Sequence, residues 1–197
     1  MFFWDRFDID TLSFLIDRYP HENPLNTMHF EKQKNLRALL RALLSPIAAE
    51  RNLVISGIEF LTEGRGLNVC IYLDGPNGVG IDDCAQFSRE SSVLLDVEDP
   101  IQSAYILEVS SPGFNRLIER KEDFQRFISY KIRIKIPHRK SKIEGILHEV
   151  TEEGFTINND VESRQIHYDD CISVRLLPTM EQYEQLAPPK SGDENEK

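Results

Sequence analysis

A run of basic residues between positions 131 and 142 offers the clearest chemistry in this 197-residue sequence. Lys131, Arg133 and Lys135 alternate with isoleucines, so they share one face of a predicted strand. The run continues through Arg139, Lys140 and Lys142, and no acid interrupts it. Such a strip could hold several phosphates of a nucleic acid in a salt-dependent way. It contains no interleaved aromatic residues, so base stacking is not indicated. The alternative is a solvated strand face with a charged edge.

A second candidate is the loop Gly75-Pro76-Asn77-Gly78-Val79-Gly80 between a predicted strand and a predicted helix. Phosphate-binding loops occupy such positions, and Gly75 to Gly78 also matches the GxxG clamp of KH domains. This loop has no basic residue, and Asp82 and Asp83 follow it. A plain turn is therefore favoured over a phosphate site.

Acidic residues cluster after the end of that helix, at Asp96, Glu98 and Asp99. A hard-cation site needs several oxygen ligands that converge, and this cluster shows no such spacing. Solvation or contact with a basic partner is favoured over metal binding. We expect no metal and no cofactor.

Residues that could carry catalysis lack the arrangements that catalysis needs. His138, His148 and His167 belong to no HExxH motif, and Ser110 and Ser111 precede a Pro-Gly pair without a nearby base or a GxSxG pattern. We therefore expect a protein that is not an enzyme.

The charge distribution and the cysteine content exclude further classes of protein. The net charge is −10, yet residues 114–145 alone carry +6 while residues 146–197 carry −8. A protein with one basic region on an acidic surface should not coat nucleic acid indiscriminately. No apolar run approaches the ~20 residues of a membrane helix, and the three cysteines are widely spaced. We expect a cytoplasmic protein without disulfides.

The first thirty residues differ from the rest, because they hold seven of the 18 aromatic residues. Asp10 to Arg18 could form a short helix before Pro20 and Pro24. We interpret residues 1–30 as an appended or wrongly assigned extension, with Met28 as an internal start. A docking arm is the alternative.

Residues 31–113 show the pattern of a small α+β domain. Glu31 to Arg51 is predicted as a helix with a stripe of leucines that includes Leu39, kinked near Pro46. Two predicted strands, 54–61 and 67–73, form a hairpin in which Cys70 points away from the core. A helix over 81–95 with Ile81 on its apolar face and a strand over 105–109 complete the domain.

The sign of the charge changes near the turn Ser111-Pro112-Gly113-Phe114, for which Pro then Gly predicts type II geometry. We place a linker with a short helix at 114–129. Residues 130–177 contain five short predicted strands, with Gly145 at a sharp bend, which is typical of an SH3-like or Sm-like barrel. Residues 178–197 are predicted to be disordered by composition.

Three segments in this order resemble the bacterial ribosome maturation factor P (RimP) family. They are Asp82-Asp83-Cys84 through Pro100-Ile101; Tyr105-Ile106-Leu107-Glu108-Val109-Ser110-Ser111-Pro112-Gly113 with Arg116; and Asp123-Phe124-Gln125-Arg126-Phe127 leading to Glu144-Gly145-Ile146-Leu147. The family pattern has Arg-Pro after this turn, whereas Leu117 follows Arg116 here, which predicts a less stiff linker.

The resemblance implies an α+β fold, with an N-terminal two-layer domain of KH-like βαβ arrangement followed by a small SH3-like or Sm-like β-barrel. It also implies a non-enzymatic ribosome assembly factor for the small (30S) subunit, which binds free or precursor subunits near a basic ribosomal protein of the decoding region. A general Sm-like RNA-binding module that acts away from the ribosome is the alternative.

We assign candidate roles to three groups and expect a monomer. Lys131, Arg133, Lys135, Arg139, Lys140 and Lys142 would contact phosphates of ribosomal RNA. Ser110, Ser111, Pro112, Gly113 and Arg116 would set the geometry between the domains or contact the subunit. The basic ribosomal protein would meet acids at the two ends of the helix predicted over 81–95: Asp82, Asp83, Asp96, Glu98 and Asp99.

Overall fold

The computed structural model describes residues 24–63, 66–137, 139, 141–159 and 162–186. The predicted helix over Asp10 to Arg18 lies outside these ranges. Helix α1 spans Pro24–Ala49 and so begins before the expected Glu31. Proline suits the first turn of a helix, because its missing N–H would have no intrahelical partner there. Pro46 lies inside the helix, which continues past it to Ala49.

Side chains of α1 form one buried stripe that faces a sheet. Leu40, Leu44 and Ala48 are fully buried, as the helical spacing predicts. Leu39, which was expected in the same stripe, is 47% exposed. It lies on the flank of the helix, one residue away from the buried row.

The first sheet has the order β1-β2-β3 and contains Val54–Glu63, Gly66–Asp74 and Tyr105–Ser110. The pair β1–β2 is the predicted antiparallel hairpin, and β3 runs parallel to β2. Cys70 points away from this core, as predicted, although it is only 4% exposed. It lies on the central strand, opposite Glu59 on one side and Glu108 on the other, and Glu108 accepts a hydrogen bond from its thiol at 3.5 Å.

Helix α2 spans Ile81–Glu98 and completes the core over the same sheet. The Asp83 carboxylate accepts a hydrogen bond from the Gly80 N–H at 2.9 Å, which satisfies one donor at the helix start. Its buried residues are Phe87, Ser91 and Leu95. The predicted apolar face was wrong about Ile81, which is 89% exposed, because the face in contact with the sheet is centred on Phe87.

The connection between the two halves of the chain departs from the predicted turn. Type II geometry requires a positive φ at Gly113, but Gly78 is the only glycine among the described residues with positive φ. The backbone instead turns at Phe114 and Asn115. After this turn, residues 116–118 pair with the last strand of the chain, Ser173–Leu176, through Leu176 N–H to Arg116 O (2.9 Å) and Ile118 N–H to Val174 O (2.8 Å).

The second half contains helix α3 and five strands, as predicted. Their bounds are α3 Lys121–Arg126, β4 Lys131–Lys135, β5 Ile143–Val150, β6 Gly154–Asn158, β7 Ser163–His167 and β8 Ser173–Leu176, with one 3₁₀ turn at Tyr168–Asp170. The sheet order is β7-β6-β5-β4-β8, and all neighbours are antiparallel. No pairing joins β7 to β8 within the described residues, so the sheet does not close into a barrel there.

A separate core fills the concave side of this second sheet and includes Phe124, Phe127 and Phe155. Gly145 pairs with Ile132 in regular register, and the irregularity of β5 lies between Leu147 and Glu149. The pairing therefore shows no bulge at Gly145. A side chain at Gly145 would come within 2.9 Å of the Asn158 carbonyl oxygen, so close packing on β6 explains the glycine.

The segment predicted to be disordered contains one more helix, α4, at Met180–Leu186. Thr179 and Gln182 cap it reciprocally, because each side chain bonds the backbone N–H of the other at 3.2 and 3.0 Å. The Tyr183 ring packs on Phe114 with ring centroids 5.0 Å apart. Within the described ranges, no helix has the length and apolar character needed to cross a bilayer.

Candidate nucleic-acid interface

The basic face of β4 forms as the alternation predicts. Ile132 and Ile134 are fully buried in the second core. Lys131 and Lys135 are exposed and Arg133 is half-buried on the opposite face. The two isoleucines therefore fix the strand so that its three cations face away from the core.

Glu144 of β5 lies among these cations, although no acid interrupts them in the sequence. Arg133 Nε donates a hydrogen bond to Glu144 Oε1 at 2.7 Å, and Lys131 Nζ lies 2.9 Å from Oε2. The hydrogen bonds from Lys131 and Arg133 lower the pKa of the Glu144 carboxyl below its ordinary value. Part of the positive charge on β4 is thus already neutralised.

The sequence pattern did not predict that Glu144 would pair with these cations. Arg133 lies directly opposite Glu144 in the β4–β5 register. Aligning strands 131–136 and 143–150 as an antiparallel hairpin would have revealed the pair, since cross-strand neighbours of opposite charge attract.

The remaining cations of the run keep their charge available. Lys135, Arg139 and Lys142 are exposed, and no carboxylate among the described residues pairs with them. Lys140 lies outside the described residues. The residues best placed to contact phosphate are therefore at the end of β4 and in the loop that follows it.

A cleft of about 570 Å³ separates the basic end of β4 from the first half of the chain. One wall contains Lys135, Lys142 and Arg133, and the other contains Arg37 of α1 and Phe60 of β1. Three further residues at its base carry charge: Glu59, Glu119 and Arg175.

Both acids in the cleft are engaged by arginines. Arg175 Nη2 donates to both carboxylate oxygens of Glu59, and Arg175 Nη1 donates to the Asn115 carbonyl oxygen at 2.9 Å. These bonds join β8 to β1 across the two halves. Tyr72 also donates to Glu59, at 3.2 Å.

Glu119 lies in the connecting segment and is held by the first half. Arg41 Nη2 donates to its Oε2 at 2.5 Å, and the Ile58 N–H donates to the same oxygen at 3.1 Å. Arg37 Nε lies 3.5 Å from Oε1. Burial raises the pKa of the Glu119 carboxyl above its ordinary value of 4.5, although Arg37 and Arg41 oppose this rise.

Arg116 also connects the halves, on another side of the connection. Its Nη1 lies 3.0 Å from Asp74 Oδ2 at the end of β2, and its guanidinium lies over the Phe127 ring, 5.7 Å from the centroid. With Ser111 and Pro112 it lines a second cleft of about 500 Å³ beside the glycine-rich loop. Ser110 ends β3, and a methyl group added at Gly113 would meet no atom within 4 Å.

The glycine-rich loop forms the plain turn that the sequence favoured. The Gly78 N–H donates to the Gly75 carbonyl oxygen at 3.1 Å, and Gly78 has φ of 81°. The Asp74 carboxylate accepts a hydrogen bond from the Gly75 N–H at 3.0 Å. The Gly75 N–H, which could otherwise donate to a phosphate, is therefore already bonded to the Asp74 carboxylate.

Comparison with known families adds one match. Residues 43–115 match the family model of the RimP N-terminal domain. This stretch of the chain is similar to a RimP N-terminal domain. The match confirms the resemblance to the RimP family over these residues.

The RimP N-terminal domain runs from the last turns of α1 to the turn after β3. It therefore includes the Ser111-Pro112-Gly113 segment but not the basic face of β4. Arg37 and Arg41 precede the matched residues, and Glu119 follows them. The cleft is thus built largely from residues outside the match.

The candidate acids of this RimP domain do not form one site. Asp82 and Asp83 begin α2, whereas Asp96, Glu98 and Asp99 end it, about 20 Å away at 1.5 Å per residue. Asp83 caps the helix, and Gln102 donates a hydrogen bond to the Asp99 carboxylate at 3.2 Å. No cluster of three or more His, Cys, Asp or Glu side chains suited to a metal occurs in the described part of the chain.

Proposed function

We propose that this chain is a non-enzymatic cytoplasmic factor for maturation of the small (30S) ribosomal subunit and that it binds free or precursor subunits as a monomer. The match of residues 43–115 to the RimP N-terminal domain carries this proposal. The exposed cations at the end of β4 support it, because a subunit precursor presents phosphates.

The mechanism is a shift of population in the precursor. A factor that binds one conformation of a particle more tightly than another raises the share of that conformation by its differential affinity. The factor leaves when the mature surface no longer fits. No bond needs to be made or broken by the protein.

Each group of candidate residues has a place in this proposal. Lys131, Arg133, Lys135, Arg139, Lys140 and Lys142 contact ribosomal RNA, with Lys131 and Arg133 weakened by Glu144. Arg116 holds the connection through Asp74, together with Ser110, Ser111, Pro112 and Gly113. The exposed acids of α2 meet a basic ribosomal protein of the decoding region.

The decisive experiment deletes the gene in the native host and measures growth and the sedimentation profile of ribosomal particles. We expect free small subunits and precursors to accumulate and plasmid expression to restore the profile. An unchanged profile, or a purified protein that does not sediment with free small subunits at modest salt, contradicts the proposal.

The role of the cations is tested by reversing Lys135, Arg139 and Lys142 to Glu and repeating the sedimentation. The matched control reverses three exposed cations elsewhere, namely Lys32, Arg89 and Lys121. We expect loss of sedimentation only for the first variant. Equal behaviour of the two variants removes the phosphate role.

A general Sm-like RNA-binding module is the second candidate, since the basic strand belongs to a five-stranded antiparallel sheet. Such a module would bind naked RNA as tightly as it binds subunits. A preference for subunits of two orders of magnitude or more in Kd excludes it.

A further inference from the structure

The cleft between the two halves has positively charged side chains on both of its walls. On the β4 side, Lys135 and Lys142 have no acidic partner among the described residues. On the α1 side, Arg37 Nε lies 3.5 Å from Glu119 Oε1, and the Arg37 guanidinium lies over the Phe60 ring, 5.9 Å from its centroid. An anion between the walls would be within reach of both.

Negative charge in the cleft is already compensated. Arg175 pairs with Glu59. Arg41 and the Ile58 N–H donate to Oε2 of Glu119, while its Oε1 accepts no hydrogen bond and lies 3.5 Å from Arg37 Nε. Opposite charges at hydrogen-bond distance cancel most of each other's field a few ångströms away. The lysines therefore set the sign of the potential that a ligand meets.

The shape of the cleft selects among anions. Its volume of about 570 Å³ is in the range that encloses a small molecule or a short stretch of one chain. A duplex is too wide to enter, whereas a single strand can place its phosphates between the walls. Phe60 lines the same cleft and adds an aromatic surface that the basic run lacks.

We propose that this cleft holds a single strand of RNA, with its phosphates between Lys135 and Lys142 of one half and Arg37 of the other. The proposal rests on the proposed function only for the identification of that RNA as ribosomal. An acidic peptide is disfavoured, because it carries no base to place against Phe60.

Binding in the cleft is coupled to the arrangement of the two halves. The strand contacts both walls, so it favours the arrangement that the bonds of Glu59 and Glu119 maintain. Removing either wall should weaken RNA binding.

The experiment measures fluorescence anisotropy of a labelled 12-nucleotide RNA of mixed sequence with the full chain at several salt concentrations. The test variants are Lys135→Ala/Lys142→Ala and Arg37→Ala; the matched control is Lys32→Ala/Arg89→Ala, which removes two exposed cations that do not line the cleft. Circular dichroism confirms that each variant is folded.

We expect the lysine variant to weaken binding roughly tenfold at low salt and to reduce the slope of log Kobs against log salt by roughly 1.4, at about 0.7 per lost phosphate contact. Arg37→Ala should weaken binding in the same direction, and the control should change neither quantity beyond its general charge effect.

Four results would overturn the cleft proposal: no binding by the wild type, equal losses in the lysine variant and the control, an unchanged affinity in Arg37→Ala, or equal affinity for a 12-base-pair duplex or poly-glutamate. Wild-type protein that sediments with subunits but ignores the oligonucleotide overturns the cleft alone. Wild-type protein that binds the oligonucleotide but not subunits overturns the proposed function alone.

Discussion

Arg41 of α1 donates a 2.5 Å hydrogen bond to the carboxylate of Glu119, which lies 78 residues further along the chain. The same carboxylate oxygen accepts the Ile58 N–H at 3.1 Å. One side chain of the connecting segment thus satisfies a helix and a strand of the first half. These hydrogen bonds join the two halves of the chain. Substitutions of Glu119 can therefore measure what its charge contributes to stability.

Replacing Glu119 by Ala should lower the free energy of unfolding by about 2 kcal/mol, because it leaves a buried backbone N–H and an arginine without an acceptor. Glu119→Gln keeps an acceptor oxygen and should be at least as stable as the wild type at pH 7, since burial disfavours the ionised carboxyl. Urea denaturation measures both. Glu152→Ala, at an exposed pair with Lys121, is the control and should change nothing measurable. A Gln variant as unstable as the Ala variant would show that the charge itself is required.

The pH dependence of stability should carry the signature of Glu119. Its pKa is higher in the folded protein than the ordinary 4.5, so the folded state retains this proton to a higher pH than the unfolded chain does. This contribution is fully present below about pH 4.5 and is lost as the pH rises through the raised folded pKa. Relative to Glu119→Gln, the wild type should therefore lose stability across that interval. If the free energies of unfolding of the wild type and Glu119→Gln changed in parallel from pH 4 to 7, the raised pKa would be contradicted.

Removing the charge of Glu144 should strengthen RNA binding. Glu144→Gln frees Lys131 and Arg133 from their shared carboxylate, so the labelled RNA should bind more tightly and with a steeper dependence on salt. Glu149→Gln, an exposed position on the same strand, removes the same charge and controls for the net change. Equal gains in the two variants would mean that only overall charge matters.

A methyl group at Gly57 should disturb the contact between the two halves. It would approach Leu117 Cδ2 to 2.9 Å, so Gly57→Ala should destabilise by about 1–3 kcal/mol. Leu117→Ala removes Cδ2 and Cγ but leaves Cβ at 3.1 Å, so it relieves the closest contact, and the double variant should lose less than the sum of the single losses. Gly113→Ala, which meets nothing within 4 Å, is the neutral control. Additive losses in urea denaturation would refute the clash.

Local patterns in the sequence predicted most helices and strands but not the contacts between them. The alternation of residues 131–135 predicted both the strand and its buried face, because the side-chain period of a strand is local. The face of Cys70 was predicted correctly, but its burial was not, since nothing local shows that its strand is central. Glu144 was overlooked for the same reason: pairing between strands decides which charges meet. Pro112 and Gly113 predicted a type II turn, but the chain turns at the next two residues and then pairs with β8. Helix α4 was not predicted, because the polar composition of its segment is also typical of disorder.

The position of Leu117 bears on how freely this connection can vary between related chains. The hydrogen bonds to β8 are made by the residues on either side of it, Arg116 O and Ile118 N–H, so the amide of residue 117 forms no part of that ladder. A proline, which lacks that hydrogen, would preserve both bonds. Exchange of leucine and proline here would therefore act through the buried side chain that packs on Gly57 and not through these two hydrogen bonds.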